Sequence, residues 1–269
     1  KAEASELAAK KASELAVKKA RKEARLVVEF WKGPAKPLSY IEVSEDMKTQ
    51  VCKTFQACSH QMARHMGQPS ICRPFQSLTV LSVRSVHNPA LWERYTATLR
   101  AMRGVLATLG ITPGIINPAF SALDEYFSGA ELDRSLNEMF LTHGCSEETA
   151  NAILKSGFDT RFSRPTDLYG EGIYFAKEMC KAHQYAAPSS SGVCHMLVAR
   201  VVLGDPYHVT DRYVGRMPPL RDEGNNDSGR YDSNVADPRV SKIKQWHWEF
   251  VVFDGHQAYP EMIVTYQVP

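Results

Sequence analysis

The sequence predicts an α+β fold, with helical patterns before residue 110 and short strand-like patterns from residue 139 onward. Residues 1–27 consist mainly of Ala, Lys, Glu and Leu, which are good helix formers. Residues 90–109 place their large apolar side chains near one helical face. Residues 197–203, 250–253 and 262–268 are rich in β-branched and aromatic residues, which suit buried strands.

Composition predicts an ordinary globular protein. The chain has 269 residues, of which 43% are hydrophobic and 23% charged. No apolar run approaches the roughly 20 residues needed to span a bilayer, so we expect no membrane association. The six cysteines are scattered without a CxxC pair, which favours reduced thiols and an intracellular location, nuclear, cytoplasmic or within an organelle.

Residues 1–30 form the first predicted segment, a basic Ala/Lys/Glu-rich helix. Residues 1–25 contain eight basic and four acidic residues, whereas the rest of the chain contains 24 basic and 26 acidic residues. The near-neutral body makes nucleic-acid binding an unfavoured function. The helix is either a solvated linker or a docking element for a partner protein.

Residues 31–74 form the second predicted segment, a helical linker region. Gly33-Pro34 and Pro37 interrupt the helical pattern, which resumes over residues 45–66. The segment contains five side chains that could in principle bind zinc, but their spacing matches no compact ligand pattern; these are Cys52, Cys58, His60, His65 and Cys72. No metal site is therefore expected.

The third segment, residues 75–269, carries the strands. Residues 78–86 alternate like a half-buried strand, and helix 90–109 follows. Ser146 precedes two glutamates and opens a helix that ends at Ser156. Residues 205–240 are rich in Gly, Pro, Asn and Asp, which predicts long loops over a site rather than core.

A few residues of this segment could carry chemistry. His143 ends an apolar strand, and a histidine in such a position usually has a structural role. Gly144 permits close approach of the backbone to a ligand. Gly170-Glu171-Gly172 lacks the third glycine of a dinucleotide-binding loop. Glu249 lies in an otherwise apolar strand, where a buried carboxylate is costly without a partner. The alternative to a buried, functional carboxylate is that Glu249 lies on an edge strand and faces solvent.

Taken together, His143-Gly144, the phrase Gly-Glu-Gly-Ile-Tyr-Phe-Ala at 170–176, and Glu249 resemble the His-Tyr-Glu triad of the poly(ADP-ribose) polymerase-like (diphtheria-toxin-like) ADP-ribosyltransferase catalytic domain. The resemblance implies two packed, mostly antiparallel sheets with a cleft over residues 75–269, preceded by helices. It also implies NAD as co-substrate and a protein as acceptor.

The resemblance assigns roles to individual residues. His143 would contact ribose hydroxyls, and the Gly144 backbone would pair with the nicotinamide amide. Tyr174 and Tyr185 would flank the nicotinamide ring through stacking and cation–π attraction. Glu249 would hydrogen-bond the 2′-hydroxyl of the nicotinamide ribose and stabilise its developing positive charge. The catalytic residues are thus Glu249, His143 and Tyr174, and the NAD-binding residues are His143, Gly144, Arg161, Tyr174 and Tyr185.

The sequence departs from the family at two positions. Cys145 and Ala182 stand where relatives carry hydroxyl side chains. Residues 253–266 and Glu249 resemble the polymer-forming tankyrases, whereas other features resemble the mono-ADP-ribosylating branch, namely Arg161, Arg200, Pro218-Pro219 and 231–233. The prediction is a transferase that adds single or short ADP-ribose units. The alternatives are a catalytically weakened binding module and a structural subunit of a larger assembly.

Overall fold

A sheet of nine strands organises the part of the chain that the computed structural model describes, namely residues 38–61, 78–116, 132–222, 224–225, 228–243 and 247–268. In chain order the elements are β1 (Ser39–Glu42), α1 (Glu45–Gln61), β2 (Thr79–His87), α2 (Pro89–Thr108), β3 (Glu138–Cys145), α3 (Glu147–Ser156), β4 (Ile173–Ala176), α4 (Met179–His183), β5 (Val193–Val202), β6 (Pro206–His208), β7 (Ser233–Ala236), β8 (Glu249–Val252) and β9 (Ala258–Gln267). The strand order is β1-β2-β9-β5-β3-β4-β8-β7-β6.

The sheet has two halves that meet between β3 and β4. The pairing of these two strands consists of Thr142 opposite Ala176, reinforced by a 2.8 Å hydrogen bond that the Thr142 hydroxyl donates to the Ala176 carbonyl. All other paired strands are antiparallel except β6 and β7. Leu141 and Leu197 of one half share a core with Phe175 and Phe250 of the other. The predicted α+β fold is therefore confirmed, with the difference that the β3–β4 pairing joins the two predicted sheets into one sheet of nine strands.

Several elements match their sequence-based predictions. β2 and α2 lie within one residue of the predicted ranges. α3 begins where predicted, because the Ser146 hydroxyl accepts a hydrogen bond from the Thr149 backbone N–H, 3.2 Å away. Its buried residues Ala150, Ile153 and Leu154 join the shared core.

Strands occur in two segments for which no strand was predicted. β1 lies in the segment predicted as a helical linker and pairs with β2. β6 and β7 lie within the predicted loops, and Ser233 and Asn234 of β7 are fully buried. The Ser233 hydroxyl donates a hydrogen bond to the Leu203 carbonyl (2.7 Å), and the Asn234 side-chain NH₂ donates one to the Tyr169 carbonyl (2.8 Å). Burial of these polar residues is tolerated because tertiary structure supplies the acceptors.

Other predictions fall outside the described residues. These include the N-terminal helix, the end of the predicted helix 45–66, and His65 and Cys72 among the potential zinc ligands. The segment boundaries at residues 30 and 74 stay predictions. In the described ranges, no helix is long and apolar enough to cross a membrane. The same ranges contain no group of three His, Cys, Asp or Glu side chains that could hold a metal ion.

A buried ion cluster centred on Arg200 fastens β5 to β3 and β9. The Arg200 guanidinium lies 3.4 Å from the Glu138 carboxylate and 3.3 Å from the Glu261 carboxylate. It also lies over two aromatic rings, 5.4 Å from the centroid of Trp92 and 5.2 Å from that of Phe140. Arg200 therefore belongs to the structural core of the sheet.

Candidate active site

β3 and β4 bring His143 and Tyr174 into direct contact. Since a carbonyl oxygen can only accept, the His143 Nδ1–H donates to the Tyr174 backbone carbonyl, 2.8 Å away. The imidazole also packs edge-on against Phe158 and at a tilt against Phe175. Burial lowers the pKa of His143, although the hydrogen bond to Tyr174 opposes this shift. The ring is therefore neutral at pH 7, with Nε2 as an acceptor for a ligand hydroxyl.

The Tyr174 ring is held from its hydroxyl end. The phenol oxygen accepts a 2.7 Å hydrogen bond from the Tyr169 N–H and donates a 2.9 Å hydrogen bond to the Gly170 carbonyl. Burial raises the pKa of Tyr174, so the phenol stays neutral. Both partners lie in the loop that leads into β4, and the ring orientation is consequently fixed before any ligand binds.

The two glycines before β4 are required by packing against β8. A Cβ on Gly170, whose φ is +110°, would lie 2.8 Å from the Phe253 ring. A Cβ on Gly172 would lie 2.6 Å from the Val252 carbonyl oxygen. The Gly-x-Gly phrase thus lets the loop lie flat against the strand that carries Glu249, a packing role that differs from that of a dinucleotide-binding loop.

Gly144 allows α4 to pack against β3. A Cβ at residue 144 would lie 1.9 Å from the Ala182 carbonyl oxygen, so any larger residue would displace the helix. Cys145 is buried beside this contact, and burial raises the pKa of its thiol to about 12. The thiol therefore stays protonated and is not a nucleophile.

α4 and the residues after it supply the outer side of the site. Tyr185 is 60% exposed, and the Lys181 ammonium lies 5.4 Å from its ring centroid. Ala182 is buried. Tyr185 thus offers an open aromatic face, while Lys181 extends from the same helical turn toward β8.

Glu249, the first residue of β8, is buried with only 5% of its surface exposed. Its Oε1 lies 3.3 Å from the Lys181 ammonium. Ala176 and Ala236 lie opposite it on the neighbouring strands. Burial raises the pKa of the Glu249 carboxyl, and Lys181 partly offsets this effect. The result is a poorly solvated carboxylate that pairs with the Lys181 ammonium.

The structure joins most of the predicted site residues but leaves one apart. His143 and Tyr174 are hydrogen-bonded, and the charge of Glu249 contributes to the raised pKa of Tyr174. Arg161 instead lies in a 3-10 turn with 86% of its side chain exposed, where it pairs with Asp159 at 2.6 Å. Its role in NAD binding, like the other assigned roles, stays a prediction.

Sequence reasoning missed Lys181 and Glu178. The signal for Lys181 was present, because a carboxylate in an apolar strand calls for a cationic partner. Glu178 precedes α4, and its carboxylate accepts a 3.3 Å hydrogen bond from the Trp248 backbone N–H. Nothing in the local sequence links this residue to a segment 70 positions away.

Comparison with known proteins places this arrangement in a family. The family model for the poly(ADP-ribose) polymerase catalytic domain matches residues 54–268, most of the chain. The chain belongs to the poly(ADP-ribose) polymerase catalytic domain family. The match begins inside α1 and extends just past the end of β9, so it includes every residue of the site.

Individual relatives lie in the mono-ADP-ribosylating branch by name. Protein mono-ADP-ribosyltransferase PARP12 of Mus musculus is 32% identical over 138 residues, 49% of this chain and 17% of that protein. Protein mono-ADP-ribosyltransferase PARP10 of Mus musculus is 36% identical over 131 residues, which cover 48% of this chain and 13% of that protein. Protein mono-ADP-ribosyltransferase PARP11 of Mus musculus is 30% identical over 151 residues, which cover 49% of this chain and 43% of that protein. The chain spans less than half the length of these relatives.

Replacing Ala182 with serine is expected to strengthen nicotinamide binding. The family resemblance places a hydroxyl at this position toward the nicotinamide amide, and one added neutral hydrogen bond is worth roughly 0.5–1.5 kcal/mol, or about two- to tenfold in affinity. Calorimetry with NAD and with a carboxamide inhibitor measures the gain. Ala187→Ser, an exposed change of the same size, is the control. Unchanged or weaker binding of both ligands would show that residue 182 does not face the nicotinamide.

Proposed function

We propose that this chain transfers ADP-ribose from NAD to a protein acceptor and releases nicotinamide. The observation that carries the proposal is the pairing of buried Glu249 with Lys181 beside the hydrogen-bonded His143–Tyr174 pair. This combination supplies a negative charge and fixed aromatic and imidazole groups in one place.

The chemistry follows from the bond that breaks. Loss of nicotinamide from NAD builds positive charge on the ribose, as in glycoside hydrolysis. Glu249 is placed to stabilise this charge, because its buried carboxylate acts with little screening from water. Nicotinamide leaves as a neutral molecule, so it needs orientation, which the Tyr174 ring and the Gly144 backbone provide. His143 Nε2 accepts from a ribose hydroxyl and holds the dinucleotide in register.

We propose single or short ADP-ribose units as the product. Polymer growth needs a binding site for the growing chain in addition to the glutamate. The segment from Asp205 to Asp237 resembles the mono-ADP-ribosylating branch in sequence. The PARP10, PARP11 and PARP12 relatives carry the mono-ADP-ribosyltransferase name.

The cellular setting belongs to the same proposal. Among the described residues, Cys52, Cys145, Cys180 and Cys194 form no disulfide, which supports an intracellular location, nuclear, cytoplasmic or organellar. Docking of a partner through the basic residues 1–30 stays a prediction, since these residues lie outside the described ranges. The near-neutral charge of the remaining chain supports a protein rather than a nucleic-acid acceptor.

Incubation with NAD labelled in its adenylate part tests the proposal. We expect release of free nicotinamide together with label on protein in a narrow band of single or short units. Long ladders on a denaturing gel would contradict the product assignment. Absence of both nicotinamide release and protein label would contradict the enzymatic function and favour the binding-module alternative.

A further inference from the structure

A second carboxylate lies beside the catalytic one. Glu178 is half-buried, and its Oε2 accepts a 3.3 Å hydrogen bond from the backbone N–H of Trp248, the residue before Glu249. It also lies three residues before Lys181, which contacts Glu249. The start of β8 and the start of α4 therefore bring two glutamates and one lysine together.

Each glutamate of this group has a different lysine as its cation. Lys181 makes its close ion pair with Glu249, and Lys177 is the cation that lowers the pKa of Glu178. Burial, together with the charge of Glu249, outweighs Lys177 and raises the pKa of the Glu178 carboxyl to about 7. Glu178 thus gains and loses a proton near neutral pH, while Glu249 has the lysine contact that favours its ionised form. The surrounding titratable groups are Lys177, Lys181, Glu249, the Cys180–His247 pair, and Arg239 over the Trp248 ring with Asp237.

We propose that Glu178 is the general base that takes the proton from the incoming nucleophile, while Glu249 stabilises the ribose cation. The division of roles follows from placement. Glu249 is buried with its carboxylate fixed on Lys181, whereas Glu178 is half-buried at the same end of β8 and can exchange protons with solvent. This proposal rests on the proposed function.

One bond forms and one breaks in this step. A lone pair of the acceptor oxygen, nitrogen or sulfur forms a bond to C1 of the nicotinamide ribose. The C–N glycosidic bond breaks, and its electron pair goes to the nicotinamide nitrogen, which becomes neutral. The proton of the acceptor passes to the Glu178 carboxylate and then to water. A nucleophile that carries no proton needs no such base.

The test uses Glu178→Gln, whose side-chain carbonyl can still accept from the Trp248 N–H. With water as acceptor, we expect the turnover of wild-type protein to rise with pH to a plateau, with a midpoint near the Glu178 pKa of about 7. The Gln variant is expected to lose this pH dependence and to turn over on the order of 10²-fold more slowly. The KM for NAD is expected to stay unchanged.

Azide separates a catalytic from a structural role. Azide carries no proton at neutral pH, so it is expected to restore nicotinamide release in the Gln variant and to yield ADP-ribosyl azide, detected by mass spectrometry. Glu148→Gln, which makes the same change at an exposed position on α3, is expected to behave like wild type. Glu178→Asp keeps a carboxylate and is expected to keep the pH dependence. Comparison of the Asp and Gln variants therefore shows whether the loss of the carboxylate, rather than a disturbed fold at this position, slows the Gln variant.

The outcomes distinguish the two proposals. If the wild-type protein cleaves NAD and the Glu178→Gln variant has the same rate and pH profile, the proposed role of Glu178 is wrong and the proposed function stands. A slow Gln variant that azide does not restore would overturn it as well and leave Glu178 a structural residue. A wild-type protein that releases no nicotinamide would instead overturn the proposed function.

Discussion

Replacing Glu249 with glutamine is expected to reduce the turnover of NAD by about 10²- to 10³-fold, by analogy with the loss of one charge-stabilising group. The variant keeps the shape of the side chain and removes the charge that we propose stabilises the ribose cation. The loss is expected in kcat, because the interaction strengthens as positive charge develops. Nicotinamide release by Glu249→Gln and wild type, over a range of NAD concentrations, measures it.

The pH dependence gives a second readout for Glu249. Burial raises the pKa of its carboxyl, so ionisation is complete only at a higher pH than for an exposed glutamate. The role proposed for Glu249 needs the ionised form. In the Glu178→Gln variant, which removes the pH dependence that Glu178 causes, the remaining rate is therefore expected to fall on acidification before ordinary carboxylates titrate. Glu148→Gln is again the matched control. Near-wild-type NAD cleavage by a folded Glu249→Gln variant would remove Glu249 from the catalytic role.

Replacing Arg200 with methionine is expected to have the largest effect on stability. The change leaves the carboxylates of Glu138 and Glu261, 3% and 18% exposed, without the guanidinium that both contact. Breaking a buried ion pair by removing one partner costs about 3–5 kcal/mol. Urea unfolding followed by circular dichroism measures the free energy of unfolding.

Two further variants show that the cause is the unpaired charge. Arg103 pairs with Asp133 at the surface, with 56% of its side chain exposed, and Arg103→Met is expected to cost only about 0–1 kcal/mol. Adding Glu138→Gln and Glu261→Gln to Arg200→Met removes the stranded charges and is expected to recover part of the lost stability. A small effect of Arg200→Met, or an equal effect of Arg103→Met, would contradict the structural role of the cluster.

Short stretches of the sequence are enough to predict the class of the fold and the candidate site residues. Local patterns suffice for elements such as β2, α2 and α3, because helix periodicity, strand alternation and the Ser146 cap act over a few residues. The family phrase around Tyr174 and the isolated carboxylate of Glu249 also lie within short stretches of chain. These features led to the family that the comparison then confirmed.

The contacts of these residues, by contrast, depend on the tertiary structure. β7 was predicted as loop because residues 205–240 are rich in Gly, Pro, Asn and Asp. The hydrogen-bond acceptors of Ser233 and Asn234 come from loops elsewhere in the chain. The partner of Glu249 is Lys181, 68 positions earlier in the chain. The placement of Glu178 beside Trp248 likewise depends on how α4 packs against β8. Pairings of this kind carry no local pattern, because they arise when distant segments bury their polar groups together.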